Sequence, residues 1–251
     1  MRISFEGKAV FVTGAASGLG KSTALLFAEH GADLSLLDVN EDGLAEVRSE
    51  IEAMGRRCMT QAVDVSAKAN CDAAIAATVE RYGRLDALCN VAGIVGLCSA
   101  GDVSEAYWNR TLAVNLSGPF YLCQAAIPHL LQTRGNIVNV ASSGGLKAQA
   151  YLVPYSTSKA GLIHMTRCMA MEFMHQPIRI NAVAPGAMDT DMGRHTELPE
   201  GIDMSLVQRF CNMRAPSQPD DVARLILYVA SDLSPSLHGA CLSVDTGISI
   251  G

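Results

Sequence analysis

The run VFVTGAASGLGKSTALLF (10–27) passes from an apolar, β-branched stretch through three glycines, Gly14, Gly18 and Gly20, straight into a helical pattern. Glycines at such a junction let the backbone turn tightly and let a ligand come close, while the first turn of the helix offers free N–H donors and partial positive charge. The junction is a cradle for phosphate. Its spacing, G-x-x-x-G-x-G, differs from the G-x-G-x-x-G fingerprint, and no glycine stands five residues before Gly20, so Lys21 and Ser22 do not complete a P-loop. The strand-then-helix rhythm recurs to the C-terminus. Short apolar runs begin at Ala9, Asp33, Met59, Leu85, Asn136, Ile178 and Cys241, separated by helical patterns such as GKSTALLFAEHG, CDAAIAATVERYG and VARLILYVAS. This alternation predicts an α/β fold, a parallel sheet of about seven strands with helices on both faces. No linker or shift in composition divides the chain, which predicts a single domain over 1–251.

Composition removes several functions. With 49% hydrophobic residues the chain can bury a sizeable core, and its formal charge of −6 gives no electrostatic case for nucleic acid or an anionic membrane. No apolar run has the length of a signal peptide or a membrane span, so a cytoplasmic protein is expected. The eight cysteines are scattered, with no C-x-x-C pair and no histidine at zinc-ligand spacing. They read as structural thiols, and neither a metal site nor a disulfide framework is expected.

The second strand candidate ends in Asp38, eighteen residues past Gly20, where a carboxylate can accept both ribose hydroxyls of an adenosine. A carboxylate there repels a 2′-phosphate, and neither Val39 nor Ser17 supplies a cation, which favours NAD over NADP. On spacing alone Asp38 also fits a turn residue leading into NEDG (40–43). Further on, PYSTSKAG (154–161) sets Tyr155 and Lys159 one helical turn apart on one face, with Pro154 suited to the helix start, Leu162, Ile163 and Thr166 on the same stripe, and Pro177 ending the run. Taken alone, the pair reads more simply as two polar tips on a core-facing helix.

With TGAASGLG (13–20), Asp64, NVAG (90–93), Asn115, Ser142, YSTSK (155–159) and PG (185–186) in this order, the chain resembles the short-chain dehydrogenase/reductase family over nearly its whole length. The resemblance implies a Rossmann-like doubly wound sheet and an NAD-dependent oxidoreductase interconverting a secondary alcohol and its ketone. It makes Tyr155 the general acid/base, Lys159 the residue that holds the nicotinamide ribose and favours the tyrosinate, Ser142 the hydrogen-bond partner of the substrate oxygen, and Asn115 the support of a water-linked proton path. Ser143 competes with Ser142, but the family's serine lies three before a glycine, here Gly145. Cofactor contacts are implied for Gly14, Ser17, Gly18, Leu19 and Gly20 at the turn and for Asp38. They extend to Asp64 and Val65 at the adenine, to Asn90, Ala92 and Gly93, to Tyr155 and Lys159, and to Pro185, Gly186, Met188 and Thr190 toward the nicotinamide. Three residues depart from the family's pattern: Val91 replaces a second asparagine, Met188 an isoleucine, and Thr246 a glycine.

One stretch, 187–216, shows no strand and only weak helical periodicity, and is expected to form a lid over the substrate. Its Met188, Met192, Met204, Leu206 and Met213 suit a bulky apolar alcohol. The resemblance adds GLCSAG (96–101) and GLKAQAYL (145–152) as further pocket walls, and a homotetramer formed through the helices carrying Asn115 and Tyr155, where Ala160 and Gly161 permit close packing. Two alternatives stand beside this reading. One is an NADPH-dependent ketone or 3-oxoacyl-acyl-carrier-protein reductase, against which Asp38 argues. The other is a nonenzymatic NAD-binding module, against which the presence of both Tyr155 and Lys159 argues.

Overall fold

Ala9–Thr13 (β1) is buried along its whole length and paired on both sides, so its sequence AVFVT is apolar or β-branched throughout rather than alternating. The computed structural model describes residues 3–190, 200–211 and 214–250; Met192 and Met213 lie outside the described residues. In chain order the remaining strands are β2 (Asp33–Asp38), β3 (Cys58–Ala62), β4 (Ala87–Asn90), β5 (Asn136–Val140), β6 (Arg179–Pro185) and β7 (Cys241–Val244). They form one seven-stranded sheet in the order β3-β2-β1-β4-β5-β6-β7, with every pairing parallel. All seven expected runs are strands. β3 stops at Ala62, short of the expected Val65, because the Asp64 carboxylate accepts the Ser66 amide in a turn.

Among the described residues the helices are α1 (Gly18–Glu29), α2 (Glu41–Ala53), α3 (Lys68–Tyr82), α4 (Glu105–Leu112), α5 (Gly118–Thr133), α6 (Val153–Glu172), the single turn α7 (Met204–Val207) and α8 (Pro219–Ala230). Alternate strand residues face opposite layers. Val10, Val12, Leu34 and Leu36 pack under α1, α2 and α8 with Phe27, Val47 and Ile226, whereas Phe11, Leu37, Leu88 and Ile137 pack under α3, α5 and α6 with Ile75, Leu122 and Met169. The result is a doubly wound Rossmann-like domain.

The seam between β1 and β4, where the strand order reverses, is pinned at both ends by side chains. At its lower end the buried Asp86 carboxylate accepts the Ala9 amide at 2.9 Å and two Arg84 donors at 2.7 Å. At its upper end the Thr13 hydroxyl accepts the amides of Val91 at 2.9 Å and Ala92 at 3.0 Å. Above this seam the chain must pass very close to itself. A Cβ on Gly20 would stand 1.9 Å from the Gly14 carbonyl oxygen, and Gly14 has φ +67° with its own Cβ direction 2.9 Å from Ala92 Cα. Neither position admits a side chain.

Beyond β7, Thr246 takes a left-handed conformation, φ +52°, in a turn held by the Asp245 carboxylate, which accepts the amides of Gly247 and Ser249. A β-branched residue is strained there, and the Thr246 hydroxyl is buried without a hydrogen-bond partner. Thr246→Gly is expected to stabilise the fold by about 1 kcal/mol, seen as a melting temperature roughly 2–4 °C higher, and an unchanged or lower value would refute the strain.

Candidate active site

The upper edge of the sheet opens into a crevice of about 960 Å³, its mouth included, lined by residues from the ends of β1, β2, β4, β5 and β6 and from α6. This is the topological switch point of the fold, where the loops diverge and leave a groove. At its floor α1 begins after Ser17, whose hydroxyl caps no amide of the first turn, and that turn carries no acidic side chain. Unsatisfied N–H groups and the positive helix end therefore face the crevice. At its far edge Asp38 is immobilised, with one carboxylate oxygen accepting the Ala16 amide at 3.1 Å and the other accepting Val39 at 2.7 Å and Asn40 at 3.0 Å.

The opposite wall carries the reactive side chains. Ser142 follows β5 and accepts the Gly144 amide at 3.0 Å, which aims its hydroxyl into the crevice, where it is hydrogen-bonded to Tyr155. The competing Ser143 is only 2% exposed and is not part of the wall. Helix α6 starts at Val153 with Pro154 in its first turn, and it brings Tyr155 and Lys159 to the same wall as their spacing requires. Lys159 is 3% exposed, donates to the Val140 carbonyl at 2.8 Å, and lies 5.9 Å from the Tyr155 ring centroid. Burial drives both groups toward their neutral forms: it raises the Tyr155 phenol, opposed by the Ser142 hydrogen bond, and lowers the Lys159 ammonium to about 8.

Asn115 sits behind this wall in a π-turn, Ala113–Ser117, that widens the path from α4 to α5. Its amide donates to the Ile94 carbonyl at 2.9 Å and to the Ser158 hydroxyl at 3.1 Å, and accepts the Ile94 amide at 2.8 Å. The space where a Gly93 Cβ would stand is 3.3 Å from both Asn115 Oδ1 and Lys159 Nζ, so the absence of a side chain at Gly93 lets these two groups converge. Nothing in LAVNLSG signals the π-turn.

Of the expected cofactor residues, Gly14, Ser17, Gly18, Leu19, Gly20, Asp38, Ala92, Gly93, Tyr155, Lys159, Pro185, Gly186, Met188 and Thr190 line the crevice. Asp64, Val65 and Asn90 do not. The Asp64 carboxylate is taken by Arg110 of α4 at 2.6 Å and by the Ser66 amide at 2.9 Å. Burial alone would raise Asp64, but these donors hold it below the usual carboxylate range. Val65 is buried against Gly118, and Asn90, 1% exposed, donates to Asn139, which in turn donates to Thr166 of α6. Asn90 therefore ties two strands and a helix together beneath the crevice. Val91, noted in the sequence only as a departure from the family's pattern, lines the crevice too, as do Val140 and Ala141, which sequence reasoning does not single out; nor does it find the clamping role of Thr13.

Cys58, Cys71, Cys89 and Cys123 are buried thiols; burial pushes Cys58 and Cys123 up to about 12 and Cys71 to about 11. Among the described residues no group of three His, Cys, Asp or Glu side chains could hold a metal ion, and no helix is long and apolar enough to cross a membrane.

The family model described as Enoyl-(Acyl carrier protein) reductase matches residues 14–249. Two curated relatives span the chain. The (2S)-[(R)-hydroxy(phenyl)methyl]succinyl-CoA dehydrogenase subunit BbsD of Thauera aromatica is 37% identical over 99% of each chain, and the 3-oxoacyl-[acyl-carrier-protein] reductase FabG of Thermotoga maritima is 36% identical over 98% of this chain and 99% of its own. Among solved structures, a short chain dehydrogenase of Mycobacterium paratuberculosis bound to NAD superposes with a TM-score of 0.92 at 25% identity, covering 99% of this chain and all of the other. A short chain dehydrogenase of Burkholderia cenocepacia in complex with NADP gives 0.89 at 31% identity, covering 97% and 98%. Glycine turn, converging Ser142, Tyr155 and Lys159, and full-length likeness in sequence and fold agree: the chain belongs to the short-chain dehydrogenase/reductase family and is an oxidoreductase of that type.

Proposed function

We propose that this enzyme uses NAD to interconvert a secondary alcohol and its ketone. The carrying observation is that Ser142, Tyr155 and Lys159 share one crevice wall facing the uncapped start of α1. The residues present fit a dinucleotide: Gly14 and Gly20 let α1 begin hard against the end of β1, the first turn of α1 supplies donors for a pyrophosphate, and Asp38 stands where ribose hydroxyls would be accepted. Once bound, the nicotinamide supplies the acceptor or donor of hydride.

The chain's own groups handle the proton. Ser142 donates a hydrogen bond to the substrate oxygen, and Tyr155 takes the alcohol's proton in oxidation and returns it in reduction. Burial disfavours the tyrosinate, so the Lys159 charge is needed to offset that cost, and Asn115 with the Ile94 backbone fixes the ground on which the lysine rests. NAD is favoured over NADP because three backbone amides hold the Asp38 carboxylate in place, leaving it unable to swing away from a 2′-phosphate.

The 187–216 stretch is the proposed substrate wall. Met188 lines the crevice, and Met204 and Leu206 of α7 are exposed, which suits a bulky apolar alcohol. A homotetramer is proposed through α5 and α6, where Phe120 and Met171 lie exposed. A reducing, cytoplasmic setting suits the free thiols.

Incubated with secondary alcohols spanning polyols, hydroxyacyl compounds and ring alcohols, the protein is expected to form NADH from NAD⁺ with a higher kcat/KM than with NADP⁺; Tyr155→Phe should lower kcat about 10³-fold. A preference for NADP⁺ would overturn the Asp38 argument, and turnover unaffected by the loss of the phenol would overturn the role of Tyr155.

Lys159 gives a prediction for stability. Its folded value of about 8 lies below the ordinary lysine value of 10.5, so below pH 8 both states are protonated and the full cost of burying the charge is present. Between the two values the unfolded chain holds a proton that the folded one has lost, and the cost fades. Lys159→Met should therefore stabilise the fold at pH 7 by about 2 kcal/mol, allowing for the lost Val140 hydrogen bond, while removing activity. Denaturant titrations should show the gap between the two proteins closing from pH 8 toward 10.5. A gap that widens would reverse the sign of the argument. Light scattering should report four times the chain mass, and a monomer would refute the proposed assembly.

A further inference from the structure

Among the described residues only Arg134, Tyr151 and Thr246 combine a side chain with a positive φ. Arg134 ends α5, where left-handed residues are routine, and Thr246 lies in the turn held by Asp245. Tyr151, φ +65°, occupies neither kind of place: it stands two residues before α6, in the loop that carries Ser142 toward Tyr155. A large aromatic residue persists in this conformation only where its surroundings hold it there.

The holding contacts reach two other segments. The Tyr151 carbonyl accepts the Cys98 amide at 2.8 Å, tying it to the segment between β4 and α4. Its hydroxyl accepts the Asp203 amide at 2.8 Å. Asp203 in turn caps α7, its carboxylate accepting the Ser205 amide at 2.8 Å. One strained residue thus joins three segments: its own loop between Ser142 and Tyr155, the stretch at Cys98 and the turn at Asp203.

We propose that Tyr151 is a positioning residue for the substrate end of the site: its hydroxyl holds the 203–207 turn in register with the loop that carries Ser142 and Tyr155. This rests on reading 187–216 as the substrate wall. The loop is held at one end by α6 and at the other by β5, so the hydroxyl transmits the position of the catalytic loop to the wall rather than supporting the fold. Tyr151 does not line the crevice, so NAD⁺ affinity is expected to be independent of its hydroxyl.

Two variants test it. Tyr151→Phe removes only the hydroxyl; amide hydrogen exchange across 200–211 should quicken about tenfold and KM for the alcohol should rise three- to tenfold, with kcat within about twofold and the NAD⁺ dissociation constant unchanged. Tyr151→Gly also relieves the left-handed strain, so it should melt at or above the wild-type temperature and still show the raised KM. A purely structural tyrosine would move stability and KM together. Unchanged exchange in Tyr151→Phe, an unchanged KM, or a weakened NAD⁺ affinity of the same size would overturn the proposal. Exchange is measured without substrate, so it decides whether the hydroxyl holds the turn even if the wild-type protein oxidises no alcohol, a result that would instead sink the proposed reaction.

Discussion

The approach of Gly20 to the Gly14 carbonyl oxygen, where a Cβ would sit at 1.9 Å, fixes where α1 begins relative to β1. Everything at the crevice is referred to that contact. It places the uncapped helix start over the β1–β4 seam, and the seam is kept closed by Thr13, whose hydroxyl accepts two amides from the residues that follow β4. Those residues lead to Gly93, whose missing side chain lets Asn115 and Lys159 converge. A close helix–strand contact on one side of the crevice thereby sets the position of the ammonium on the other.

Around this frame the molecule concentrates its unfavourable features at one end of the sheet. Lys159 is buried with its charge pushed toward loss, Tyr155 is pushed toward protonation, Tyr151 is left-handed, and the first turn of α1 is uncapped. At the other end Asp86 holds Ala9 and Arg84, and Arg179 donates to the Val229 and Ser231 carbonyls that end α8, although the Asn136 amide oxygen beside them is buried without a hydrogen-bond partner. Strain and unpaired donors gathered at the edge that carries the crevice, with charged side chains bracing the lower edge, are what a preorganised site on a rigid scaffold requires.

Much of this was legible in the sequence, for reasons that can be named. The inner strands β1, β4, β5 and β6 are buried almost throughout and read as short apolar runs, the edge strands β3 and β7 follow from the strand-then-helix rhythm, and a Tyr and a Lys four apart must share a helix face. The crevice was found because the glycines mark the places where backbone must come close. What was not legible depends on long-range partners. The Asp64 carboxylate looks free in sequence and is taken by Arg110, far along the chain, and the Asn90 bond to Asn139 joins two neighbouring strands that lie far apart in sequence. The π-turn at Asn115 and the left-handed backbone at Tyr151 have no local signature, because surrounding contacts impose them.

Thr246 and Tyr151 show how differently one backbone feature can be used. Both have positive φ, but the Thr246 hydroxyl is buried without a partner, whereas the Tyr151 hydroxyl and carbonyl each accept an amide from a different segment. At Thr246 the strain is offset only by the Asp245 turn, so glycine there should lose nothing. At Tyr151 the strained backbone and the side chain do separate work, the first orienting the carbonyl to Cys98 and the second reaching Asp203. Glycine would keep the conformation and lose the reach. A left-handed residue with a long polar side chain is therefore informative where its tip is engaged, and is only a local cost where its tip is left unpaired.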